Sequence, residues 1–380
     1  MSNTRTESAP GFAGFKLDRK IRRGIAAAGF SEPRPIQVRT IPAAIEGRDI
    51  LGLAQTGTGK TAAFALPLLE RILADGAEGP QALIVAPTRE LASQISEDIR
   101  LLASHTNIQV AILFGGVSTA SQLAALRKRP AIIVACPGRL LDLYGQGKVR
   151  LDCISMLVLD EADHMFDMGF LPDIRRILAA LPARRQNLLF SATMPKEIRR
   201  LANRLLRDPQ VVELNHTRPL DTIEHTQFPV ERRHKFELLQ RVLAEREFVS
   251  AIVFTRTKHR ARKLARQLER SGHSAVALQG NMSQNQRDRA MEGFRNRRFH
   301  VLVATDIAAR GIDVEQVSHV VNFDMPSTPD GYTHRIGRTG RSERRGRAYT
   351  FVTPEDHAMV RAVERRIGTA IPCQRLAHYA

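Results

Sequence analysis

The sequence predicts two α/β domains in tandem, each a parallel sheet covered by helices. Three observations carry this. Short apolar segments alternate with helix-length stretches, several of those segments are apolar on both faces, and the pattern stops near residue 213 and restarts near 223. Strands sandwiched between helices read as unbroken apolar runs, because neither face meets water. LIVA (83–86) and IIVA (132–135) are of this kind. In the first part the candidate strands are Asp49–Leu53, Gln81–Ala86, Gln109–Phe114, Ala131–Ala135, Ser155–Leu159 and Gln186–Phe190. Helices are expected at Thr61–Ala74 and Glu90–Ala103. In the former, Ala62, Ala65, Leu66, Leu69 and Leu73 recur at helical spacing. In the second part, strands are expected at Ala251–Phe254, Ala275–Leu278, His300–Ala304, His319–Phe323 and Ala348–Val352. Helices are expected there at Lys258–Ser271, Gln284–Arg295 and Glu355–Ile367. Arg207–Thr222 contains Pro209 and Pro219, which break both patterns. The expected layout is therefore a first domain over 1–212, a linker over 213–222 and a second domain over 223–380, a division that suits 380 residues.

Charge narrows the function. The chain carries 57 Lys and Arg against 39 Asp and Glu, a net +18. Such an excess suits a polyanionic partner, because cations that neutralise phosphates release condensed counterions. Residues 216–380 hold 29 Lys and Arg against 18 acids, so the shorter half is the more basic. Aromatics make up 5% and Trp is absent, which argues against base stacking and for recognition of the sugar-phosphate backbone. No apolar run reaches the roughly 18–20 residues of a membrane helix, and Met1–Pro10 lacks the apolar centre of a signal peptide. Cys136, Cys153 and Cys373 have no metal-ligand spacing and read as free thiols of a cytoplasmic protein. The chain is expected to stop soon after its last helix, without a basic tail.

Two segments carry chemistry. Ala54-Gln55-Thr56-Gly57-Thr58-Gly59-Lys60-Thr61 follows a candidate strand and opens a candidate helix. This is a phosphate-binding loop with Ala in place of the first Gly. The glycines turn backbone N–H groups toward phosphate, the helix N-terminus adds a favourable field, Lys60 supplies a point charge and the Thr61 hydroxyl can ligate Mg²⁺. About a hundred residues on, Leu157-Val-Leu-Asp-Glu-Ala-Asp163 sets carboxylates at the end of an apolar strand. Asp160 is expected to hold Mg²⁺ through water, and Glu161 to polarise the attacking water.

At Asp160-Glu-Ala-Asp163 the sequence resembles the DEAD-box RNA helicases of superfamily 2, and other motifs of that family follow in order. The resemblance spans roughly 12–352 and implies two tandem RecA-like domains. Gly29-Phe-Ser-Glu-Pro-Arg-Pro-Ile-Gln37 resembles the Q motif, within 10–38, with Phe12 at the family's upstream aromatic position. The resemblance implies that Gln37 reads adenine and that Phe30 packs on the base; plain core packing is the competing reading for Phe12 and Phe30. Pro87-Thr88-Arg89, Gly115-Gly116 and Cys136-Pro137-Gly138-Arg139 match first-domain RNA motifs, and Ser191-Ala-Thr193 the motif that couples ATP state to RNA. In the second half, Thr255, Gln284, Arg287, Thr305 and Arg310 fall at RNA-facing positions, and Asp313 at the position that meets the ATP ribose. His334-Arg-Ile-Gly-Arg-Thr-Gly-Arg341 carries the paired arginine fingers, Arg338 and Arg341, with His334 in the same catalytic motif.

The resemblance thus implies an RNA-dependent ATPase and helicase that uses ATP and Mg²⁺. It would close its two domains on one strand of RNA, part short duplexes locally or remodel RNA–protein complexes, and show little base specificity. Ribosome-assembly or RNA-decay proteins are the partner classes implied. A clamp that binds ATP without turnover and a DNA-directed translocase are the competing functions. The stretches 54–67 and 164–170 look most like the bacterial RhlE-type branch. Three positions depart from the family pattern. Arg34 stands where Thr is usual and is expected to face solvent. Cys136 replaces the Thr of TPGR. His164 follows DEAD in place of Arg and is expected to be a surface or packing change rather than a base.

Overall fold

The computed structural model describes residues 11–54, 57–76, 78–214, 223–309, 317–340 and 346–374. They fall into two compact units, 1–215 and 216–380. In the first, α1 (Arg19–Ala27), α2 (Pro35–Ile45), β1 (Ile50–Leu53), α3 (Lys60–Asp75), β2 (Ala82–Val85), α4 (Arg89–Leu102) and β3 (Val110–Leu113) lead to α5 (Thr119–Arg127), β4 (Ile132–Ala135) and α6 (Pro137–Gly145). There follow β5 (Met156–Leu159), α7 (Ala162–Asp167), α8 (Leu171–Ala180), β6 (Gln186–Ser191), α9 (Lys196–Leu205) and β7 (Gln210–Glu213). The second holds β8 (Ile223–Pro229), α10 (Lys235–Leu243), β9 (Ala251–Phe254), α11 (Lys258–Arg270), β10 (Ala275–Leu278), α12 (Gln284–Arg295) and β11 (Val301–Ala304). It ends with α13 (Asp306–Ala309), β12 (His319–Asn322), α14 (Pro329–Ile336), β13 (Gly346–Val352) and α15 (His357–Ile367).

Both sheets are parallel, in the orders β3-β4-β2-β5-β6-β1-β7 and β10-β11-β9-β12-β13-β8. The doubly apolar strands behave as their sequences demand. Ala82, Ile84, Ile132 and Val134 enter one core while Leu83, Val85, Ile133 and Ala135 enter another on the opposite face. The second sheet repeats this, with Ile252 and Phe254 on one face and Ala251 and Val253 on the other. The expected strands and helices are present with ends shifted by a residue or two. Two strands are additions. β7 takes in Glu213, the first residue of the expected linker, and β8 begins immediately after that linker, whose residues 215–222 lie outside the described ones. Helix α15 begins at His357 after a short 3₁₀ turn, Pro354–Asp356.

The order of the first sheet sorts the motifs. The phosphate loop follows β1, the carboxylates follow β5, and Ser191 ends β6; these three strands are neighbours. Pro87-Thr88-Arg89, Gly115-Gly116 and Pro137-Gly138-Arg139 follow β2, β3 and β4, which are neighbours on the other side. All six loops leave the carboxyl ends of parallel strands, the edge at which an open α/β sheet binds ligands.

Candidate nucleotide and RNA sites

The phosphate loop is braced from α2. Gln37 is completely buried. Its amide donates to the Gly59 carbonyl at 3.1 Å, and its amide oxygen accepts from the Arg34 backbone at 2.8 Å. Gly59 has φ +90°, and a Cβ there would meet Gln37 Nε2 at 2.6 Å, so both conformation and space require glycine. A side-chain amide has two donors and two lone pairs; bracing the loop uses one of each. Arg34 is exposed, as expected, and its guanidinium also reaches the phosphate loop. It donates to the Gly57 carbonyl, because the capped start of α2 holds its backbone beside the loop.

Lys60 opens α3 and is buried. Its ammonium donates to the Ala54 carbonyl at 3.2 Å and stands 3.7 Å from Asp160 Oδ1. Burial pushes the Asp160 carboxyl up to about 6, against the pull of Lys60. Glu161 sits at φ 51°, ψ 54°, a left-handed conformation that a non-glycine residue adopts at a cost. Asp163 turns back to β6. Its Oδ2 accepts both the backbone N–H and the hydroxyl of Thr193 at 2.8 Å, and its own N–H donates to Ser191 Oγ at 3.2 Å. The acidic turn and the Ser191/Thr193 turn are therefore one hydrogen-bonded unit.

His164 is 2% exposed, so the expected surface change is excluded. Its Nδ1 lies 3.1 Å from Glu161 Oε2. Toward an ionised carboxylate, which can only accept, Nδ1 is the donor; the other ring nitrogen is Nε2. That Nε2 is buried without a hydrogen-bond partner.

Upstream, Phe12 is buried in the core beneath Phe30, their ring centroids 6.1 Å apart, whereas Phe30 is 37% exposed. Phe12 therefore packs in the core, whereas Phe30 keeps an exposed face. Along the β2-β4-β3 edge, the Thr88 hydroxyl caps α4 by accepting from Leu91 N–H at 3.3 Å. Arg89 lies over Gly116, where a Cβ would fall 2.0 Å from Arg89 Nη1 and φ is +78°. Arg139 donates to the Thr119 hydroxyl at 3.3 Å. Burial, then Glu90, pushes the Cys136 thiol up to about 12, so it is no nucleophile.

Residues 34–201 match the DEAD/DEAH box helicase model and residues 234–343 the helicase conserved C-terminal domain. The chain is 44% identical over 355 residues to the ATP-dependent RNA helicase CshA of Listeria monocytogenes, covering 93% of this chain and 68% of that protein. It is 44% identical over 357 residues to the DEAD-box ATP-dependent RNA helicase CshA of Bacillus subtilis, covering 93% and 72%. Among solved structures it resembles S. cerevisiae Dbp5 bound to RNA and ADP BeF3, at TM-score 0.85 and 33% identity over 96% of this chain and 95% of that one. The chain belongs to the DEAD-box helicase family.

These relatives correct the branch. The RhlE-type assignment rested on 54–67 and 164–170, stretches inside shared motifs, and the bacterial relatives named above are CshA proteins.

In the second unit the family motifs again gather at neighbouring strand ends. Thr255, which follows β9, is fully buried, and Thr305 follows β11. The side chain of Gln284, in the first turn of α12, donates to Asp288 at 2.8 Å, and that of Arg287 to the Ala308 carbonyl at 3.3 Å. His334 lies in α14, half-buried, and Arg338 just beyond it, 5% exposed. Between them is a residue the sequence reading passed over. Arg335 is 2% exposed and grips Asp306 through Nε and Nη2, at 2.5 and 2.8 Å. Its Nη1 donates to Asn322 Oδ1 at 3.1 Å and to the Asp324 carbonyl at 2.7 Å. Asp163 was passed over too, although Ser191 and Thr193, two residues apart at the end of β6, offer hydroxyls that a buried neighbour could bond. Gln55, Thr56, Arg310, Asp313 and Arg341 lie outside the described residues.

Proposed function

We infer that this chain is an RNA-dependent ATPase that separates short RNA duplexes or remodels RNA–protein complexes. The observation that carries the reading is the buried Lys60–Asp160 pair between a phosphate loop and the DEAD turn, with Asp163 wired to Thr193. A triphosphate that recruits Lys60 would release Asp160 and tug the turn that Asp163 holds. Nucleotide state is thereby transmitted to the neighbouring strand end by direct bonds.

In this reading, residues 1–212 form the ATP-binding domain, 213–222 the linker and 223–380 the second helicase domain. Gln37, with one donor and one acceptor remaining, selects adenine, and Phe30 packs on the base. Residues 54–61 cradle the phosphates, Glu161 orients the attacking water, and Arg338 and Arg341 answer the charge that develops on the γ-phosphate, with His334 supporting them and Asp313 holding the ribose. The loops after β2, β3 and β4, with Thr255, Gln284, Arg287, Thr305 and Arg310, hold the RNA backbone, and Ser191 and Thr193 couple the two events. Closure of the domains needs ATP to favour the closed state.

The donor set at Thr61 and Asp160 consists of hard oxygens, and no group of three metal-ligating side chains occurs among the described residues. That fits Mg²⁺, which takes one or two protein oxygens and completes its octahedron with phosphates and water. When bound, it would neutralise charge on the β- and γ-phosphates. No helix among the described residues is long and apolar enough to cross a membrane, and three free thiols suit the cytoplasm. The relatives favour a CshA-like branch; partner proteins would be those of ribosome assembly or RNA decay.

The test is phosphate release with and without RNA, beside unwinding of one short duplex, with DNA of the same sequence as competitor. Release that rises with RNA, from ATP and not GTP, together with unwinding, is the expected result. Equal release with and without RNA, or equal competition by DNA, refutes it.

A further inference from the structure

At the opposite end of the first sheet from these motifs lies a cavity of about 460 Å³ between α8 and α9. It is reached at the amino end of β6, where Arg185 and Asn187 stand, while Ser191 and the motif loops lie at carboxyl ends. Four leucines (171, 178, 201 and 205) form its apolar lining. Around them stand Arg175, Arg185, Arg200, Arg204 and Arg207, with Glu197 the one acid among the lining residues.

Three of the five arginines have no side-chain partner within the fold: among the described residues, the side chains of Arg175, Arg200 and Arg204 make no hydrogen bond or ion pair. Arg185 donates to the Pro182 carbonyl and to Asn187 Oδ1, and Arg207 to the Ala183 carbonyl, none of them an acid. Burial, and then the neighbouring Arg207, disfavours the charge on Arg185. Four of the five are exposed, so together they set a positive rim around the apolar floor that an anionic partner would meet. Arginine is also the cation best suited to hold carboxylates in a fork.

We propose that this cleft is a docking site for an acidic peptide segment of a partner protein, its apolar side chain seated on the leucines and its flanking carboxylates held by the arginines. RNA is the less suitable occupant. No aromatic ring lines the cleft to stack a base, and an apolar floor has nothing to offer a sugar-phosphate strand. The volume is that of a pocket for a small ligand or a few side chains. The site is independent of the nucleotide chemistry, so it stands whether or not the helicase reading does.

The test uses the full chain and a short fluorescein-labelled peptide with a central Leu pair flanked by Asp and Glu, read by anisotropy. Because the whole protein is basic, two double variants are compared: R200E with R204E on α9, and R361E with R365E on the exposed side of α15, which change net charge equally. The expected result is an affinity loss of about tenfold or more for the α9 pair and about twofold or less for the α15 pair. RNA-stimulated ATPase should be retained in both. Replacing the peptide's Leu pair by Asn should weaken binding to the unmutated protein. Equal losses from the two double variants would reduce the effect to general charge and overturn the proposal. So would undiminished binding of the Asn peptide, no binding at all, or an oligouridylate whose own affinity falls only with the α9 pair, which would assign the cleft to RNA.

Discussion

At the carboxyl end of β5 the first unit buries Asp160 against Lys60 at 3.7 Å, a loose pair whose acid is pushed up to about 6. At the ends of β11 and β12 the second unit buries Arg335 in a two-pronged grip on Asp306, with Asn322 and the Asp324 carbonyl taking the remaining guanidinium edge. It also buries Lys235, which donates to the Phe323 and Phe351 carbonyls at 2.8 and 3.1 Å. The fold is the same and the buried charge serves different ends. In the second unit the cations are hydrogen-bonded on nearly every side, which is how a buried charge is made tolerable as scaffold. In the first, Lys60 has one carbonyl and an acid at 3.7 Å, fewer direct partners than either buried cation of the second unit. The two units differ in how many direct hydrogen bonds each buried cation makes; displacement of proton affinity by burial is common to both, since it also lowers Lys235 to about 8.

Breaking the loose side should affect turnover and leave the fold intact. Glu161→Gln keeps the size of the side chain and removes its basicity. Phosphate release is expected to fall by about a hundredfold or more, while RNA binding in the presence of ATP and the melting temperature stay near those of the unmutated chain. Near-normal turnover would remove Glu161 from the chemistry. Breaking the tight side should do the reverse. Arg335→Leu leaves Asp306 partnerless and two buried oxygens unsatisfied, for a loss of about 3 kcal/mol, the low end for a broken buried pair because Asp306 keeps some water. Thermal unfolding followed by a probe in each unit should show the second unit destabilised and the first unmoved. A shift of both, or of neither, would deny that Arg335 is framework of its own unit.

A smaller effect follows from acid. Burial pushes His225 down to about 4 from 6.5. It is buried against the Tyr332 hydroxyl at 3.1 Å, its other ring nitrogen unpartnered. Between those values the unfolded chain binds a proton that the folded one refuses, so stability falls as pH is lowered from about 6.5 to about 4. The loss approaches about 3 kcal/mol once pH is below both values. His225→Phe should flatten the acid limb of the second unit's unfolding curve. A curve of unchanged slope would show that other groups set it.

The fold was legible where strands are buried on both sides, because an unbroken apolar run has few other uses. The strands β7 and β8 escaped because they are edge strands. QVVE buries only Val212, and IEHTQFP mixes polar and apolar positions, so each resembles the linker beside it. The nucleotide loop was legible from its glycines and its place after a strand. What could not be read was which side chains fill one another's hydrogen bonds. Nothing in the spacing of Gln37 and Gly59, 22 residues apart, announces that one braces the other. Arg34 is exposed as an arginine usually is, but nothing in the sequence announced that its guanidinium would also reach the Gly57 carbonyl. Asp163 and Thr193 meet only because β5 and β6 are neighbours.

His164 offers the finest test of the loose side. It stands three residues after Glu161 on one helical turn, which brings Nδ1 to 3.1 Å from the Glu161 carboxylate. Glu161 itself occupies a left-handed backbone conformation, and the ring nitrogen is one of the groups beside its carboxylate. If the ring aims the carboxylate, His164→Leu should lower kcat about tenfold, or about 1.4 kcal/mol in the barrier, with KM for ATP nearly unchanged. A side chain that merely packs would not be rescued by a polar one. His164→Asn, whose amide nitrogen stands close to where Nδ1 stood, should restore most of the rate, although it packs less well than Leu. Equal rates in Leu and Asn variants, or a change in KM rather than kcat, would show that the imidazole fills space beside Glu161 without directing it.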